Sequence, residues 1–161
     1  MSNRSKGNAA EKAVEDRYLA QGGWLVHRAV QSGREGELEG RKVWFSRTND
    51  LFGLFDIAAM RPSRHVAFGD GEGLVLLPQI HFVQVTSETG ATARRTKIKA
   101  AADGLPLKLC QVFLWIYLGR GKWRVQKLMT PTLWDDVPEP LPPPPRGWTR
   151  KGGANAVSAE A

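Results

Sequence analysis

Polar side chains interrupt an apolar stretch at Phe82-Val-Gln-Val-Thr-Ser87, where Gln84 and Thr86 lie inside a strand-like run. Asp56 opens a second such run, Ile57-Ala-Ala. An acid, an amide or a hydroxyl in an apolar strand is costly unless it is hydrogen-bonded, and a functional site is the usual reason for it. Hydrolysis of a phosphodiester needs such oxygen donors, because a divalent ion polarises the phosphate and generates hydroxide. The two runs therefore indicate a metal-dependent site.

The oxygen donors at these positions suit Mg²⁺. This ion is typically bound by one or two carboxylates, and water and substrate phosphate complete its shell. We expect Asp56 to supply the carboxylate, Gln84 a side-chain oxygen and Val85 its backbone carbonyl, with Mn²⁺ able to replace Mg²⁺. The alternative for Asp56 is a turn acid that caps a backbone amide.

A second acid, Glu11, lies on a predicted N-terminal helix four residues before Glu15. Like charges at this spacing destabilise a helix by a few tenths of a kcal/mol, and a bound metal or a nearby cation would relieve the repulsion. The alternative is an ordinary exposed helix face, on which Lys12 and Asp16 form an i,i+4 pair. Glu11 is therefore predicted to hold a second metal or a water, with the exposed face as the competing interpretation.

Basic residues cluster on a second predicted helix, directly after the strand that carries Gln84: Arg94, Arg95, Lys97 and Lys99. Arg94 and Arg95 fall in the first turn, where the helix dipole disfavours cations by roughly 0.3–1 kcal/mol each. Phosphate groups bound there would explain this placement. The alternative is a solvated basic face.

The overall charge agrees with an anionic partner. The 161-residue chain carries a net charge of +7 with only three histidines, so the sign is secure at neutral pH. This balance favours nucleic acid. The single cysteine, Cys110, cannot form an internal disulfide, and no cysteine–histidine cluster indicates zinc. The N-terminus is polar and the apolar run 109–118 is too short to span a bilayer, which predicts a cytoplasmic protein with no membrane partner.

Hydrophobic periodicity and turn signals predict an α/β fold, with a mixed central β-sheet flanked by helices. The predicted helices are 8–21, capped by Asn8, and 91–102. The predicted strands are 24–30, 51–60, 65–68, 74–77, 80–87, 108–118 and 122–129, the last at a sheet edge.

The remaining segments are predicted to be irregular. Residues 31–42, rich in Gly, Glu and Arg, are expected to form a mobile loop. Residues 1–137 are expected to form one domain. The following residues, 138–161, are expected to comprise a proline-rich stretch at 138–145 and a disordered basic tail from 146.

The sequence resembles the archaeal-type Holliday junction resolvases, which belong to the PD-(D/E)XK superfamily and have the restriction-endonuclease-like fold. The resemblance covers residues 4–118 and rests on Lys6-Gly-Asn-Ala-Ala-Glu11, Trp24–Val30, Asp56-Ile-Ala-Ala and Gln84-Val-Thr86. It implies that Glu11 is the family's first-helix glutamate and Asp56 its second-strand aspartate. The same D-L-F-G…F-D…Q-V-T pattern is similar to that of nuclease relatives in phages and prophages.

The chain departs from the family at the third strand, where the family has acid-x-lysine and this sequence has Gln84-Val-Thr86. A glutamine is a neutral and weaker metal ligand, and a threonine supplies no positive charge for the attacking hydroxide. Two interpretations remain open. Lys97 or Arg95 replaces the lysine from the following helix, or catalysis is lost and a DNA-binding protein remains.

The resemblance implies a metal-dependent endodeoxyribonuclease that hydrolyses branched or structured DNA in recombination or repair, and that cuts two strands as a C2 homodimer. Glu11, Asp56, Gln84, Thr86 and Lys97 are then the predicted catalytic positions. The predicted phosphate contacts are Lys6, Arg94, Arg95, Lys99 and the loop 31–42. A third interpretation is a protein–protein adaptor that uses the proline-rich stretch 138–145 as its ligand segment.

Overall fold

The computed structural model describes residues 3–29, 32–38, 41–47, 50–62, 65–68, 73–76 and 78–150. Its helices are α1 (Asn3–Gln21) and α2 (Ala91–Ala101), and short 3₁₀ turns at Glu88–Gly90 and Ala102–Gly104 flank α2. Its strands are β1 (Leu25–Arg28), β2 (Ser32–Leu38), β3 (Arg41–Arg47), β4 (Ile57–Arg61), β5 (His65–Phe68), β6 (Gly73–Leu76), β7 (Gln79–Ser87), β8 (Cys110–Gly119), β9 (Lys122–Thr130) and β10 (Leu133–Val137).

Six of these strands form one mixed sheet in the order β1-β4-β7-β8-β9-β10. Only β7 and β8 are parallel, and α2 lies in the connection between them, as a crossover between parallel strands requires. Two separate hairpins, β2–β3 and β5–β6, lie outside this sheet. The expected α/β class with a mixed central sheet is confirmed, and its two central strands are β7 and β8.

The two helices cover opposite faces of the sheet, because alternate residues of a strand point to opposite sides. Val83 and Val85 of β7 join the core beneath α1, which includes Val14 and Tyr18. Phe82 packs with the second core, which includes Ile98 of α2. The polar Gln84 therefore shares the α2 face with Phe82, deep inside the protein.

A buried hydrogen-bond chain joins α1, β7 and β4 below the α1 face. Arg61 Nε donates to Gln79 Oε1 at 2.7 Å, and Gln79 Nε2 lies 3.0 Å from His81 Nε2. His81 Nδ1 lies 3.0 Å from the Tyr18 hydroxyl. Because the Gln79 amide nitrogen is a donor, His81 Nε2 accepts and Nδ1 carries the proton. The Arg61 guanidinium stacks over the Trp24 ring at 4.5 Å, which closes the chain at the surface.

Three predicted elements differ from the structure. The first helix begins at Asn3 rather than after Asn8, because the intervening residues contain no proline and extend a helix that is already nucleated. The prediction of a mobile loop at 31–42 is wrong, since residues 32–38 pair with 41–47 in an antiparallel hairpin. The prediction of β9 as an edge strand is wrong, because β10 pairs along it. The strand β10 was not predicted because it contains Asp135 and Asp136, and charged side chains are tolerated in a strand at the sheet edge.

The predicted strand 51–60 also divides into two parts. Only Ile57–Arg61 is a strand, and the preceding residues form a tight turn closed by a Leu51–Phe55 bridge. Phe52 and Gly53 both have positive φ, 55° and 67°, and the Leu54 amide donates to the Leu51 carbonyl at 3.0 Å. Two successive positive φ values define a type I′ turn, which a single run of apolar letters cannot reveal.

The residues that follow β10 pack against α1. Leu141 is buried in the core, and the buried Arg17 guanidinium donates both to the Glu139 carboxylate and, at 2.8 Å, to the Leu141 carbonyl. The same guanidinium lies over the Trp115 ring at 5.1 Å. Arg150 forms ion pairs with acids of α1. Residues 151–161 of the predicted tail lie outside the described residues.

Candidate active site

The backbone around Asp56 is fixed on both sides by neighbouring strands. The Asp56 amide donates to the Val83 carbonyl at 2.9 Å, and the Asp56 carbonyl accepts from the Ala29 amide at 2.7 Å. The residue therefore lies between β1 and β7, immediately before β4 begins. Its side chain is only 7% exposed, so the carboxyl group is held inside the sheet layer.

Two donors converge on one oxygen of this carboxyl group. Asp56 Oδ2 accepts from the Val85 amide at 2.7 Å and from the side-chain nitrogen of Gln84. Burial raises the pKa of Asp56 to about 7, the Val85 hydrogen bond lowers it, and the nearby charges of Glu11 and Asp50 raise it further. Asp56 is thus a buried acid that is partly protonated at neutral pH.

Gln84 is the second buried polar group, at 1% exposure. Its side-chain nitrogen donates to Asp56 Oδ2 and also to the Val85 carbonyl at 3.2 Å. Both neighbours are acceptors, so the amide nitrogen must face them and the oxygen must face away. Within the described part of the chain, Gln84 Oε1 is buried with no hydrogen-bond partner. An orphaned oxygen of this kind is rare in a folded protein.

Glu11 stands near this pair and is held by an arginine of β1. Arg28 Nη1 lies 3.6 Å from Glu11 Oε2, and Arg28 Nε donates to Glu15 Oε2 at 3.0 Å. Arg150 also reaches Glu15, at 2.8 Å. Burial raises the pKa of Glu11, and the charge of Arg28 opposes that rise. The Glu11–Glu15 repulsion expected from the sequence is therefore relieved by two arginines.

Arg94 and Asp50 complete the electrostatic surroundings. The positive charge of Arg94 lowers the pKa of both Glu11 and Asp56, whereas Asp50 raises both. Glu11, Asp50 and Asp56 are thus close enough for their negative charges to interact. Arg28 was not among the predicted site residues. Its position at the end of β1, the strand that follows α1, was the available signal.

Other predicted site residues lie apart from Asp56. Arg95 Nε donates to Gln126 Oε1 of β9 at 2.8 Å, which turns this side chain toward the far half of the sheet. Lys97 and Lys99 are exposed on either side of the buried Ile98, and in the described part of the chain no contact links either lysine to Asp56 or Gln84.

Thr86 serves packing at the start of α2. A Cβ atom at Gly90 would lie 2.5 Å from Thr86 Oγ1, so only glycine fits beside this hydroxyl. The side chains of Lys6 and of residues 32–38 in the predicted phosphate-binding loop lie outside the described residues.

The donor set decides which metal chemistry these residues can support. Across the described ranges, no three histidine, cysteine, aspartate or glutamate side chains are close enough to hold a metal ion. A site must therefore combine the Asp56 carboxylate with neutral oxygens. The candidates are the Val85 carbonyl and Gln84 Oε1, but in this structure Gln84 Nε2 faces Asp56 and Val85 while Oε1 faces away. Such a set of one carboxylate and amide oxygens matches the preference of Mg²⁺ for hard ligands.

Comparisons with protein-family models, with curated proteins and with solved structures found no match. Among the described residues, no helix is long and apolar enough to cross a membrane.

Proposed function

We propose that this protein is a metal-dependent endodeoxyribonuclease with a restriction-endonuclease-like core, similar to Holliday junction resolvases. The observation that carries the proposal is the Gln84 side-chain amide, whose nitrogen lies between Asp56 Oδ2 and the Val85 carbonyl while its oxygen has no described partner. These are the three groups that the sequence pattern assigns to the metal.

A rotation of the Gln84 amide by a half-turn would exchange its nitrogen for its oxygen. Three oxygens would then meet where two acceptor oxygens and one donor meet now, and a bound cation would be the partner of the orphaned oxygen. A cation is the species that such an arrangement attracts, because the oxygens would otherwise repel one another. The residues therefore fit Mg²⁺ or Mn²⁺, and either ion, when bound, supplies a polarised phosphate and an activated water.

The remaining charged groups suit the binding of a phosphodiester. Asp56 and Glu11, when ionised, place negative charge at the site. The positive charge of Arg94 lowers the pKa of both acids. We assign to Arg94 the role that the family gives to its third-strand lysine. We prefer Arg94 to Arg95 and Lys97 for this role. Arg95 is hydrogen-bonded to Gln126, and Lys97 has no described contact with the site.

Branched DNA as the substrate and a C2 homodimer as the active form belong to the same proposal, on the resemblance to the resolvases. A nuclease of that kind contacts mainly phosphates and recognises the shape of DNA more than its sequence. The net charge of +7 supports an affinity that weakens as salt is added.

A second candidate function is DNA binding without catalysis. It is favoured by Thr86, which stands at the lysine position, carries no charge and packs against Gly90. It is also favoured by Asp56, because two donors already satisfy one oxygen of its carboxyl group. In this case the polar cluster would be a structural remnant of a nuclease site.

Cleavage of a four-way DNA junction and of its linear arms with Mg²⁺ or Mn²⁺ tests the proposal. We expect metal-dependent nicking by the wild type and at least a hundredfold loss in Asp56→Asn, which removes the carboxylate charge and keeps the side-chain shape. Arg94→Gln should lose most activity and Arg95→Gln little. Asp103→Asn, an exposed acid in the 3₁₀ turn that follows α2, is the matched control. Binding without cleavage in every protein would establish the second candidate.

A further inference from the structure

Phe52 combines two unfavourable properties at the tip of the turn before Asp56. Its side chain is 76% exposed, and its backbone φ is 55°, in the left-handed region. Positions of this kind in a type I′ turn usually carry Asn, Asp or Gly, which tolerate the backbone and are at home in water. A β-carbon-bearing aromatic residue is strained there, and it leaves its ring in solvent. Strain of this kind clusters at functional sites.

Neighbouring rings hold the Phe52 ring in place. It meets Phe82 edge to face, with centroids 5.7 Å apart and planes at 83°. Phe82 is stacked on the fully buried Phe55, at 5.2 Å and 20°. The aromatic ladder, Phe52–Phe82–Phe55, therefore anchors one side of the exposed ring to the core and leaves the rest open to solvent.

The ladder lies beside the candidate active site. Phe82 precedes Gln84 by two residues on β7, so their side chains are neighbours on the same face of the sheet. The turn that carries Phe52 begins after Asp50 and ends before Asp56. A ligand whose phosphate is held at Asp56 and Gln84 would thus bring its adjoining groups against the Phe52 ring.

We propose that Phe52 stacks on an unpaired nucleobase of the bound DNA. The inference rests on the proposed function and names its substrate class: DNA with bases outside the duplex, such as a junction, a flap or a frayed end. An aromatic ring offers a base a π-face of any sequence, and positive charge nearby holds the backbone. The exposed face of one ring matches the area of a single nucleobase, whereas a stable protein interface covers roughly 800 Å² per partner.

Fluorescence of 2-aminopurine in single-stranded DNA, in a four-way junction and in a closed duplex tests the proposal, with Ca²⁺ in place of Mg²⁺ to prevent cleavage. Phe52→Asn suits the type I′ turn and should fold at least as stably as the wild type. It should nevertheless bind the single strand about 5- to 160-fold more weakly, the range that corresponds to loss of one base–aromatic stack. Its affinity for the closed duplex should stay unchanged.

Two further variants separate stacking from simple apolar contact. Phe52→Trp should keep the affinity and the quenching of 2-aminopurine, whereas Phe52→Leu should lose the quenching although its side chain is apolar. Arg120→Asn relaxes the other described non-glycine residue with positive φ and controls for strain relief. Equal single-strand affinity and quenching in wild type, Asn and Leu proteins would overturn the inference while DNA binding stands. Failure of the wild type to bind any of the three DNAs would overturn the proposed function and the inference together.

Discussion

At the scale of single residues, the site is defined by a carboxyl group that the fold holds in an unfavourable place. Asp56 is buried, has Glu11 and Asp50 within electrostatic reach, and has a pKa of about 7. Its partner Gln84 leaves one oxygen without a described hydrogen bond. Neither feature helps the protein to fold, because a buried charge and an orphaned acceptor both cost free energy. We propose that a cation bound at this site offsets both costs.

Replacing Asp56 by asparagine should therefore stabilise the metal-free protein at pH 8. The folded pKa of about 7 is above the unfolded value of 3.8, so the contribution of Asp56 is complete below pH 3.8 and is lost as pH rises through 7. At about 1.4 kcal/mol per pKa unit, the ionised side chain costs up to about 4 kcal/mol at pH 8.

Urea unfolding of Asp56→Asn in EDTA at pH 8 measures this cost. We expect the free energy of unfolding to rise by about 1–4 kcal/mol, since asparagine keeps an oxygen for the Val85 amide and carries no charge. The exposed Asp103→Asn should change it by less than about 0.5 kcal/mol. A less stable Asp56→Asn protein would mean that the carboxylate is a structural group rather than a strained functional one.

At the scale of elements, the strand predictions succeeded where the pattern is local. The continuous apolar run at β8 and the largely apolar run at β7 each predicted a strand that is mostly buried in the structure. The predictions failed where a partner decides the structure. The hairpin β2–β3 is held together by antiparallel pairing, and the edge strand β10 by pairing with β9. Patterns within one segment carry no information about the strand that will pair with it. They also do not reveal the type I′ turn around Phe52.

The segment after β10 is an element whose structural contribution the sequence did not predict. Ending the chain after Val137 removes the Glu139 carboxylate and the Leu141 carbonyl from Arg17, and it exposes the pocket that Leu141 fills. A buried charge that loses its partner costs about 3–5 kcal/mol. We expect such a loss in thermal or urea unfolding, measured against a chain that ends at Arg150. Equal stability of the two chains would show that this segment only lies on the surface.

The buried chain from Tyr18 through His81 to Arg61 links three elements and makes stability depend on pH. Burial, together with the charges of Arg61 and Lys127, lowers the pKa of His81 to about 4, below the ordinary value of 6.5. Between pH 6.5 and pH 4, His81 is protonated in the unfolded chain but stays neutral in the folded protein. Stability from His81 is therefore complete above pH 6.5 and is lost as pH falls through 4.

Unfolding of wild type and His81→Gln at pH 7 and pH 4.5 isolates this effect from the opposite contribution of Asp56, which is common to both proteins. The wild type should lose about 2–3 kcal/mol more than the variant between the two pH values. His27→Gln, at an exposed histidine, should behave as the wild type does. The same pH dependence in all three proteins would contradict a buried neutral His81.

At the scale of the whole molecule, the sheet brings together residues that are far apart in sequence. Glu11 comes from α1, Arg28 from β1, Asp56 from the position just before β4 and Gln84 from β7. The charge of Arg28 acts on Glu11 and that of Glu11 on Asp56, and the neutral Gln84 donates a hydrogen bond to Asp56. The order of these residues indicated a common site. The charge partners could not be predicted, because the directions of Arg94 and Arg95 depend on how α2 packs: Arg95 turns to β9, whereas the charge of Arg94 acts on Asp56. We therefore propose Arg94, which the sequence predicted as a phosphate contact, for the role of the family's lysine.

The most direct measurement is Mg²⁺ binding by calorimetry at pH 7 in two buffers of different ionisation enthalpy. A cation beside Asp56 displaces the proton from those molecules in which this carboxyl group is protonated, so we predict that Mg²⁺ binding releases protons, up to one per ion. Asp56→Asn should lose both the proton release and most of the affinity, and Asp103→Asn should keep both. Binding of Mg²⁺ to Asp56→Asn with wild-type affinity, or no binding to the wild type at millimolar concentrations of the ion, would contradict a metal site at Asp56.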